Sequence, residues 1–260
     1  MYKTNKIGWA THTNEAIYKG DSGAFINHKT LAKINRTRKE KSSVLICGDS
    51  DWTECGTWEA TYVLEACHRS PHVCYLITNN TSALKEIVKG WAIQYMQGEW
   101  PQNVWLGFTA EDQANFDERW AHFTDEADGV LGRFPDCNVF VSYEPALGPL
   151  VLPSSFCSTM GNGISGQIMN NGIVFGKRWL IVGGESGAKA RPPHHEWFID
   201  IKNQCINNGV MFHFKQWGAF RCVPRDRHPF GWEVVYKPKA PGNDLLFSKQ
   251  YKDTPLKVIK

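Results

Sequence analysis

Residues 179–192 read WLIVGGESGAKARP, and this stretch decides the predicted fold. Four apolar residues are followed at once by a glycine pair, a carboxylate, a serine and a third glycine. That order predicts a buried strand that ends in a tight polar loop. Glycines allow a ligand to approach the backbone, and successive N–H groups in such a turn can bind an anion. The stretch is therefore a candidate ligand-binding loop, with a plain strand-to-helix turn as the alternative.

The order of apolar strand, polar residues and helix recurs from residue 43 onward. The pattern predicts strands at residues 44–48, 72–77, 103–108, 139–143, 179–183 and 210–214. Helical spacing predicts helices at residues 57–69, 82–96, 111–123 and 194–208. With a short strand at residues 6–10, followed by a loop to residue 30, this makes about seven strands. Strands that are apolar on both faces and alternate with helices indicate a parallel sheet covered by helices.

Polar residues at so many strand ends favour one arrangement of this sheet. In a (β/α) barrel the carboxyl ends of all strands form one face, whereas a flat doubly wound sheet brings only two strands to one site. We therefore predict a single α/β domain at residues 1–218, a partial or closed TIM-like (β/α) barrel. An insertion at residues 145–176 is rich in Gly, Ser and Asn and is expected to hold a short helix or a flap near the site. Residues 219–260 are expected to form a carboxy-terminal extension, packed on the barrel or partly flexible.

Composition excludes several classes of protein. The eight cysteines form no Cys-x-x-Cys pair, so a zinc site has little support and we expect no metal. No apolar run approaches the roughly 18 residues of a membrane-spanning helix, and the polar amino terminus gives no secretory signal. These features predict a cytoplasmic protein with reduced cysteines and no membrane partner. The net charge of +3 names no partner by itself.

Polar side chains at the predicted strand ends are the candidate site residues. The candidate catalytic residues are Asp49, Glu144, Glu185 and Lys215. The candidate ligand-binding residues are Asp51, Thr78, Gly183, Gly184, Ser186, Gly187, Gln216 and Trp217. Acids and a lysine close together could act as acid/base pairs or bind a ligand that carries both amine and anionic groups.

Lys215 and His213 each have two interpretations, and Trp217 has one specific role to consider. Lys215 could instead form an ion pair with Glu144 or Glu185 that only closes the mouth of the barrel. Trp217 lies beside Lys215 and could stack on a purine, because every base has an aromatic face. His213, inside the last predicted strand, either points into the barrel or is a hydrogen-bonded core residue.

Four segments together resemble a known family. They are NVWLG at residues 103–107, FVSYEPALGP at 140–149, IVGGESG at 181–187 with ARP at 190–192, and FKQWG at 214–218. In matching order they resemble a phage-encoded family of uncharacterised proteins, which is similar to a branch of the radical S-adenosylmethionine barrels. The likeness runs from about residue 43 to residue 218.

The resemblance implies a loop whose three cysteines hold an iron–sulfur cluster, after a short strand that contains a tryptophan. IGWAT at residues 7–11 is similar to that strand, but residues 14–28 contain no cysteine. Thiolates hold such clusters. We therefore expect no iron–sulfur cluster and no reductive cleavage of S-adenosylmethionine by this chain.

The leading functional hypothesis is a phage-type, radical-SAM-like barrel that has lost its cluster and binds a small ligand or nucleotide at the carboxyl ends of its strands. No cofactor is certain from the sequence. S-adenosylmethionine or a related nucleoside is a candidate, and any turnover would be acid/base chemistry on a nucleotide or nucleic-acid base. The alternative is a non-catalytic phage interaction protein that binds a host or defence component through the 145–176 insertion and the basic termini. A third possibility is nucleic-acid binding through residues 29–41 and 219–260, with affinity that falls steeply with salt.

Overall fold

The computed structural model describes the greater part of the chain. Main chain and side chains are described for residues 42–46, 51–95, 98–157, 176–220 and 251–253, and the main chain alone for the strands at 6–7, 10–13, 17–20, 23–26, 221–224, 232–236, 245–246 and 249–250. Asp49, the basic run at 29–41 and residues 158–175 of the predicted insertion lie outside the described residues.

A single large sheet organises the molecule. Its strands are β1 (Lys6–Ile7), β2 (Ala10–Thr13), β5 (Ser43–Ile46), β6 (Val73–Thr78), β7 (Val104–Ala110), β8 (Asn138–Tyr143), β9 (Arg178–Gly183) and β10 (Met211–Gln216), and β3 (Ile17–Gly20) and β4 (Gly23–Ile26) form a separate hairpin. The order in the sheet is the order in the chain. Every pairing from β2 to β10 is parallel, and β1 pairs with β2 antiparallel.

Helices follow the strands as the spacing predicts. They are α1 (Thr57–His68), α2 (Thr81–Tyr95), α3 (Gln113–Thr124), α4 (Val130–Arg133), α5 (Ser154–Cys157) and α6 (His195–Asn207), and a 3-10 turn spans Trp52–Cys55. Asp112 caps α3 by accepting a hydrogen bond from Asn115 N at 2.9 Å, which satisfies one of the free N–H groups of the first turn. The four long predicted helices are confirmed within about two residues, the usual uncertainty of helix ends.

The predicted (β/α) barrel is wrong, because the sheet is open and curled rather than closed. In a closed barrel the last strand would pair with the first. Here the free edge of β10 is covered by residues 251–253: Phe214 N donates to Tyr251 O at 3.0 Å, and Asp253 N donates to Phe212 O at 3.3 Å. A segment from the carboxy-terminal region thus occupies the edge that closure would require.

The amino-terminal prediction also needs correction. The single strand predicted at residues 6–10 is two strands, β1 and β2, paired as an antiparallel hairpin. The predicted loop that follows contains the end of β2 and the β3–β4 hairpin. In the predicted carboxy-terminal extension, β12 (Trp232–Tyr236) pairs antiparallel with β11 (Phe220–Pro224). The division of the chain at residue 218 stays a prediction.

Both faces of the sheet are apolar, as the continuous apolar strands predict. On β8, Val139 and Val141 join the large core between sheet and helices, whereas Phe140 points to the other face. We call that other face the inner face. Its core consists of Leu45, Val73, Tyr75, Trp105, Phe140, Trp179, Ile181 and Met211. The ring centroid of Tyr75 lies 5.7 Å from that of Phe140 and 5.6 Å from that of Trp179, so the rings form one packed cluster. None of the helices in the described part of the chain has the length and apolar content to cross a membrane.

Candidate functional site at the carboxyl ends of the strands

Four side chains form a hydrogen-bonded network at the carboxyl ends of β8, β9 and β10. Lys215 Nζ donates to Glu144 Oε2 at 2.7 Å, and Gln216 Nε2 donates to Glu144 Oε1 at 3.3 Å and to Ser186 Oγ at 3.1 Å. The side chains of Lys215 and Glu144 are 28% and 17% exposed. The ion pair is therefore partly shielded from water but still within reach of a ligand.

Gly183 lies directly beside the carboxylate of this network. Glu144 follows β8 and Lys215 lies on β10, so their side chains meet across the intervening strand β9. A Cβ on Gly183 would lie 3.0 Å from Glu144 Oε1, which is closer than a normal van der Waals contact. A side chain at Gly183 would therefore crowd the Glu144 carboxylate in its present position.

The backbone of the glycine pair joins neighbouring strand ends. Gly184 N donates to Gln216 O at 2.9 Å, and Gly183 O accepts from Ala146 N at 2.9 Å. A Cβ on Gly184 would overlap the carbonyl oxygen of Trp217. The N–H of Gly184 therefore already donates to the protein's own backbone. The close approach of two backbone segments explains why glycine is needed there.

Glu185 is bound by Arg191 of the same loop rather than by Lys215. Its Oε2 accepts from Arg191 N at 2.6 Å and from Arg191 Nε at 2.8 Å, and its Oε1 accepts from Arg191 Nη2 at 2.8 Å. The hydrogen bonds from the Arg191 side chain, followed by the one from its backbone N–H, lower the pKa of Glu185 to about 2. Glu185 is therefore a carboxylate whose two oxygens already accept hydrogen bonds, and it closes the loop at residues 185–191.

Asp51 and Thr78 bind each other. Asp51 Oδ1 accepts from Thr53 N at 3.1 Å and from Thr53 Oγ1 at 2.8 Å, and its Oδ2 accepts from Thr78 Oγ1 at 2.8 Å and from Asn79 N at 2.9 Å. Thr78 is only 3% exposed. These contacts cap the 3-10 turn and join it to the end of β6. The hydrogen-bonded clamp after β5 and β6 is thus separate from the Lys215 network after β8 to β10 and from the Glu185–Arg191 pair.

Two aromatic candidates, His213 on β10 and Trp217 just after it, are buried. Trp217 is fully buried, and its ring centroid lies 5.0 Å from that of Phe198 and 5.3 Å from that of Phe214. Its ring therefore has no exposed face on which a purine could stack. His213 is 1% exposed, with Nδ1 3.3 Å from Asp253 O and its ring 6.0 Å from that of Trp179. His213 points to the inner face and is also a hydrogen-bonded core residue.

Two hydroxyl groups on the inner face of neighbouring strands were missed by the sequence reasoning. Thr109 and Ser142 are cross-strand partners in β7 and β8, and both are partly exposed. On β8, Ser142 lies two residues after the inward-facing Phe140 and two before Glu144. The alternation of strand side chains would have placed them on the inner face.

The part of the chain that the structure describes holds no metal-binding cluster, and the segment expected to hold an iron–sulfur cluster has no cysteine. The described residues contain no group of three His, Cys, Asp or Glu side chains that could hold a metal ion. The segment at residues 14–28, which the family resemblance relates to a cluster loop, has no thiol with which to bind iron.

The fold and the site define an α/β protein with an open, singly wound sheet and a charged network at the carboxyl edge of that sheet. Residues 4–253 match the family described as Protein of unknown function (DUF5131), and the chain belongs to this family. The match includes residues 251–253, which cover the edge of β10. No curated protein and no solved structure matches the chain.

Proposed function

We propose that the protein binds a small ligand or a nucleotide at the carboxyl edge of its sheet, through Lys215, Glu144, Gln216 and Ser186. The observation that carries this proposal is the Lys215–Glu144 pair at 2.7 Å, partly exposed beside the buried inner core. Ligands of open α/β sheets bind outside the carboxyl ends of the strands. A few convergent polar groups at such a place are the usual basis of a binding site.

The family resemblance supports S-adenosylmethionine and related nucleosides as the first ligands to test. We further propose that the protein is related to phage-encoded, radical-SAM-like proteins. It would then act in the cytoplasm of a host cell, in nucleotide or DNA modification. Radical chemistry is not part of the proposal, because the cluster loop lacks cysteine. If the protein turns over a substrate, Glu144 would accept a proton and Lys215 would donate one, acting on a nucleotide or a nucleic-acid base.

A thermal-shift screen tests the proposal. S-adenosylmethionine, its breakdown products and common nucleotides are added to the wild type and to Lys215→Met and Glu144→Gln. A ligand that binds the folded state alone raises the melting temperature, and we expect both substitutions to abolish that rise. Lys89→Met is the matched control, since it breaks a more exposed ion pair with Asp128 in the helical layer. No stabilisation by any compound would refute the proposal.

The second candidate function is a non-catalytic interaction protein that binds a host or defence protein. It is favoured by Trp58 and Tyr62 on α1, which are 58% and 41% exposed although both are large aromatic residues. Exposed aromatic side chains are enriched in protein interfaces. This candidate predicts that Trp58→Ala abolishes the biological effect and that Lys215→Met leaves it intact. Nucleic-acid binding by residues 29–41 and 219–260 would instead show a steep loss of affinity with salt.

A further inference from the structure

Arg178 is a buried cation at the end of β9 that lies away from the Lys215 network. It is the first residue of β9, and only 5% of it is exposed. The network lies at the other end of this strand, roughly 17 Å away at the usual rise per residue. Leu180, two residues further along β9, packs in the core between sheet and helices. Arg178 points to the same helical layer, where its guanidinium carbon lies 5.8 Å from the ring centroid of Trp120 on α3.

One nitrogen of the guanidinium group anchors it to the backbone. Nη1 of Arg178 donates to Cys137 O and Gly176 O, both at 2.9 Å, and to Lys177 O at 3.2 Å. The ring of Trp120 adds a cation–π contact. Because the guanidinium group is planar, these contacts on one nitrogen fix the direction in which the other two nitrogens point.

No carboxylate in the described part of the chain forms an ion pair with Arg178. Burial lowers its pKa from 12.5 to about 10, and the smaller opposing effect comes from the Cys137 thiol rather than from an acid. That thiol is itself neutral, because burial raises its pKa well above 9.0. Residues 158–175, which precede β9 in the chain, contain no Asp or Glu and can supply no carboxylate. Buried charges in proteins are normally paired, so the missing counter-charge requires an explanation.

The edge of the guanidinium group formed by Nε and Nη2 is unused. Neither nitrogen donates a hydrogen bond to a described residue, whereas Nη1 donates to three carbonyl groups. Both nitrogens touch solvent, since neither is one of the sealed polar atoms without a partner. The N–H groups on this edge are parallel and match two oxygens of one carboxylate or phosphate. Arg178 therefore presents a fixed pair of donors with a net positive charge.

We propose that Arg178 binds a small oxyanion, a phosphate or a carboxylate, through Nε and Nη2 at the amino end of β9. The anion supplies the counter-charge that the described residues lack. With 5% of the residue exposed, the group is within reach of a small free ion rather than of a nucleic-acid or protein surface. This site is separate from the Lys215 network and does not depend on the proposed function.

Thermal unfolding in phosphate tests the proposal, with chloride used to hold the ionic strength constant. A ligand of the folded state raises the melting temperature in a saturable way, whereas the general salting effect of phosphate on apolar burial needs no site. We expect saturation in the wild type. Arg178→Lys keeps the charge but loses the parallel donors, so the apparent dissociation constant of phosphate should rise at least about tenfold. Lys215→Met and Arg69→Met, which removes a 69% exposed side chain paired with Glu65, should behave as the wild type.

The same titration with acetate identifies the anion, and saturation by either phosphate or acetate supports the site. NMR of the wild type locates the ion without any variant: the Nε–H resonance of Arg178, assigned through its proximity to the Trp120 ring, should shift with the same saturation. An unshifted Nε–H resonance, a phosphate effect that is unchanged in Arg178→Lys, or no saturation by either anion would overturn the proposal. The backbone carbonyl groups alone would then hold Arg178, and the proposed function at Lys215 would be unaffected.

Discussion

Lys215 on β10 reaches Glu144 at the end of β8 across the intervening strand, with Nζ 2.7 Å from Oε2. Gly183 on β9 lies beside the Glu144 carboxylate, where a Cβ would be 3.0 Å from Oε1. The pair therefore ties together three strand ends at one edge of the open sheet. This relationship supports the proposed binding site, and its strength can be measured.

A double-mutant cycle with Lys215→Met and Glu144→Gln should give a coupling energy of about 1 kcal/mol in urea unfolding. The pair is partly shielded, so it should couple more strongly than a fully solvated pair. The matched cycle on Lys89 and Asp128, with side chains 39% and 41% exposed, should give less than about 0.5 kcal/mol. Equal coupling in the two cycles would show that the Lys215 pair is an ordinary surface ion pair.

Gly184→Ala should destabilise the protein by more than about 2 kcal/mol, because the new Cβ would overlap the backbone carbonyl of Trp217. Gly90→Ala is the matched control. Its Cβ would lie 3.5 Å from Thr61 Cγ2, an ordinary contact, and alanine favours the helix, so stability should rise by up to about 1 kcal/mol. Urea unfolding of the two variants measures both effects, and a neutral Gly184→Ala would contradict the described approach of the two segments.

The pKa of Glu185 should be about 2 in a carboxyl-carbon NMR titration, and Arg191→Met should return it towards the ordinary value of 4.5. A carboxyl whose pKa is lower in the folded than in the unfolded state stabilises the fold fully above its unfolded value. That contribution is lost as the pH falls from about 4.5 to about 2. An unchanged titration in Arg191→Met would show that Arg191 does not hold the carboxylate.

Asp51→Ala should lower the free energy of unfolding by about 2–3 kcal/mol, because it removes hydrogen bonds to a charged acceptor and leaves Thr78 Oγ1 without that partner. Ligand affinity should stay unchanged, since Asp51 holds the 3-10 turn rather than the Lys215 network. Asp200→Ala, at an exposed position on α6, is the control and should change neither quantity. If Asp51→Ala keeps its stability but no longer binds the ligand, Asp51 is part of the binding site.

The strands and helices of the sheet could be predicted because their signals are local. Apolar runs such as residues 179–183, bounded by glycines, predict buried strands, and Asp112 precedes a helical pattern as a cap should. Asp51 carried a readable signal as well, since Asp51 and Glu54 have the spacing of a helix start. Its role as a cap was therefore available from the sequence, although its bond to Thr78 was not.

Sheet closure could not be predicted because it depends on a pairing between distant residues. Nothing in Tyr251, Lys252 and Asp253 marks them as the segment that covers β10, yet their backbone groups occupy its edge. The partner of Glu185 was equally hidden, because the loop must turn at Gly187, with φ of 109°, before Arg191 can return to the carboxylate. The burial of Trp217 depends in the same way on its packing against Phe198 of α6.

The most direct test of the central claim is calorimetric titration of the tightest ligand from the screen into the wild type and Lys215→Met. If the ligand binds at the carboxyl edge of the sheet, the dissociation constant should rise at least about tenfold in Lys215→Met, the equivalent of about 1.4 kcal/mol, and stay unchanged in Lys89→Met. An affinity that is the same in all three proteins would contradict the claim that Lys215 and Glu144 form the binding site.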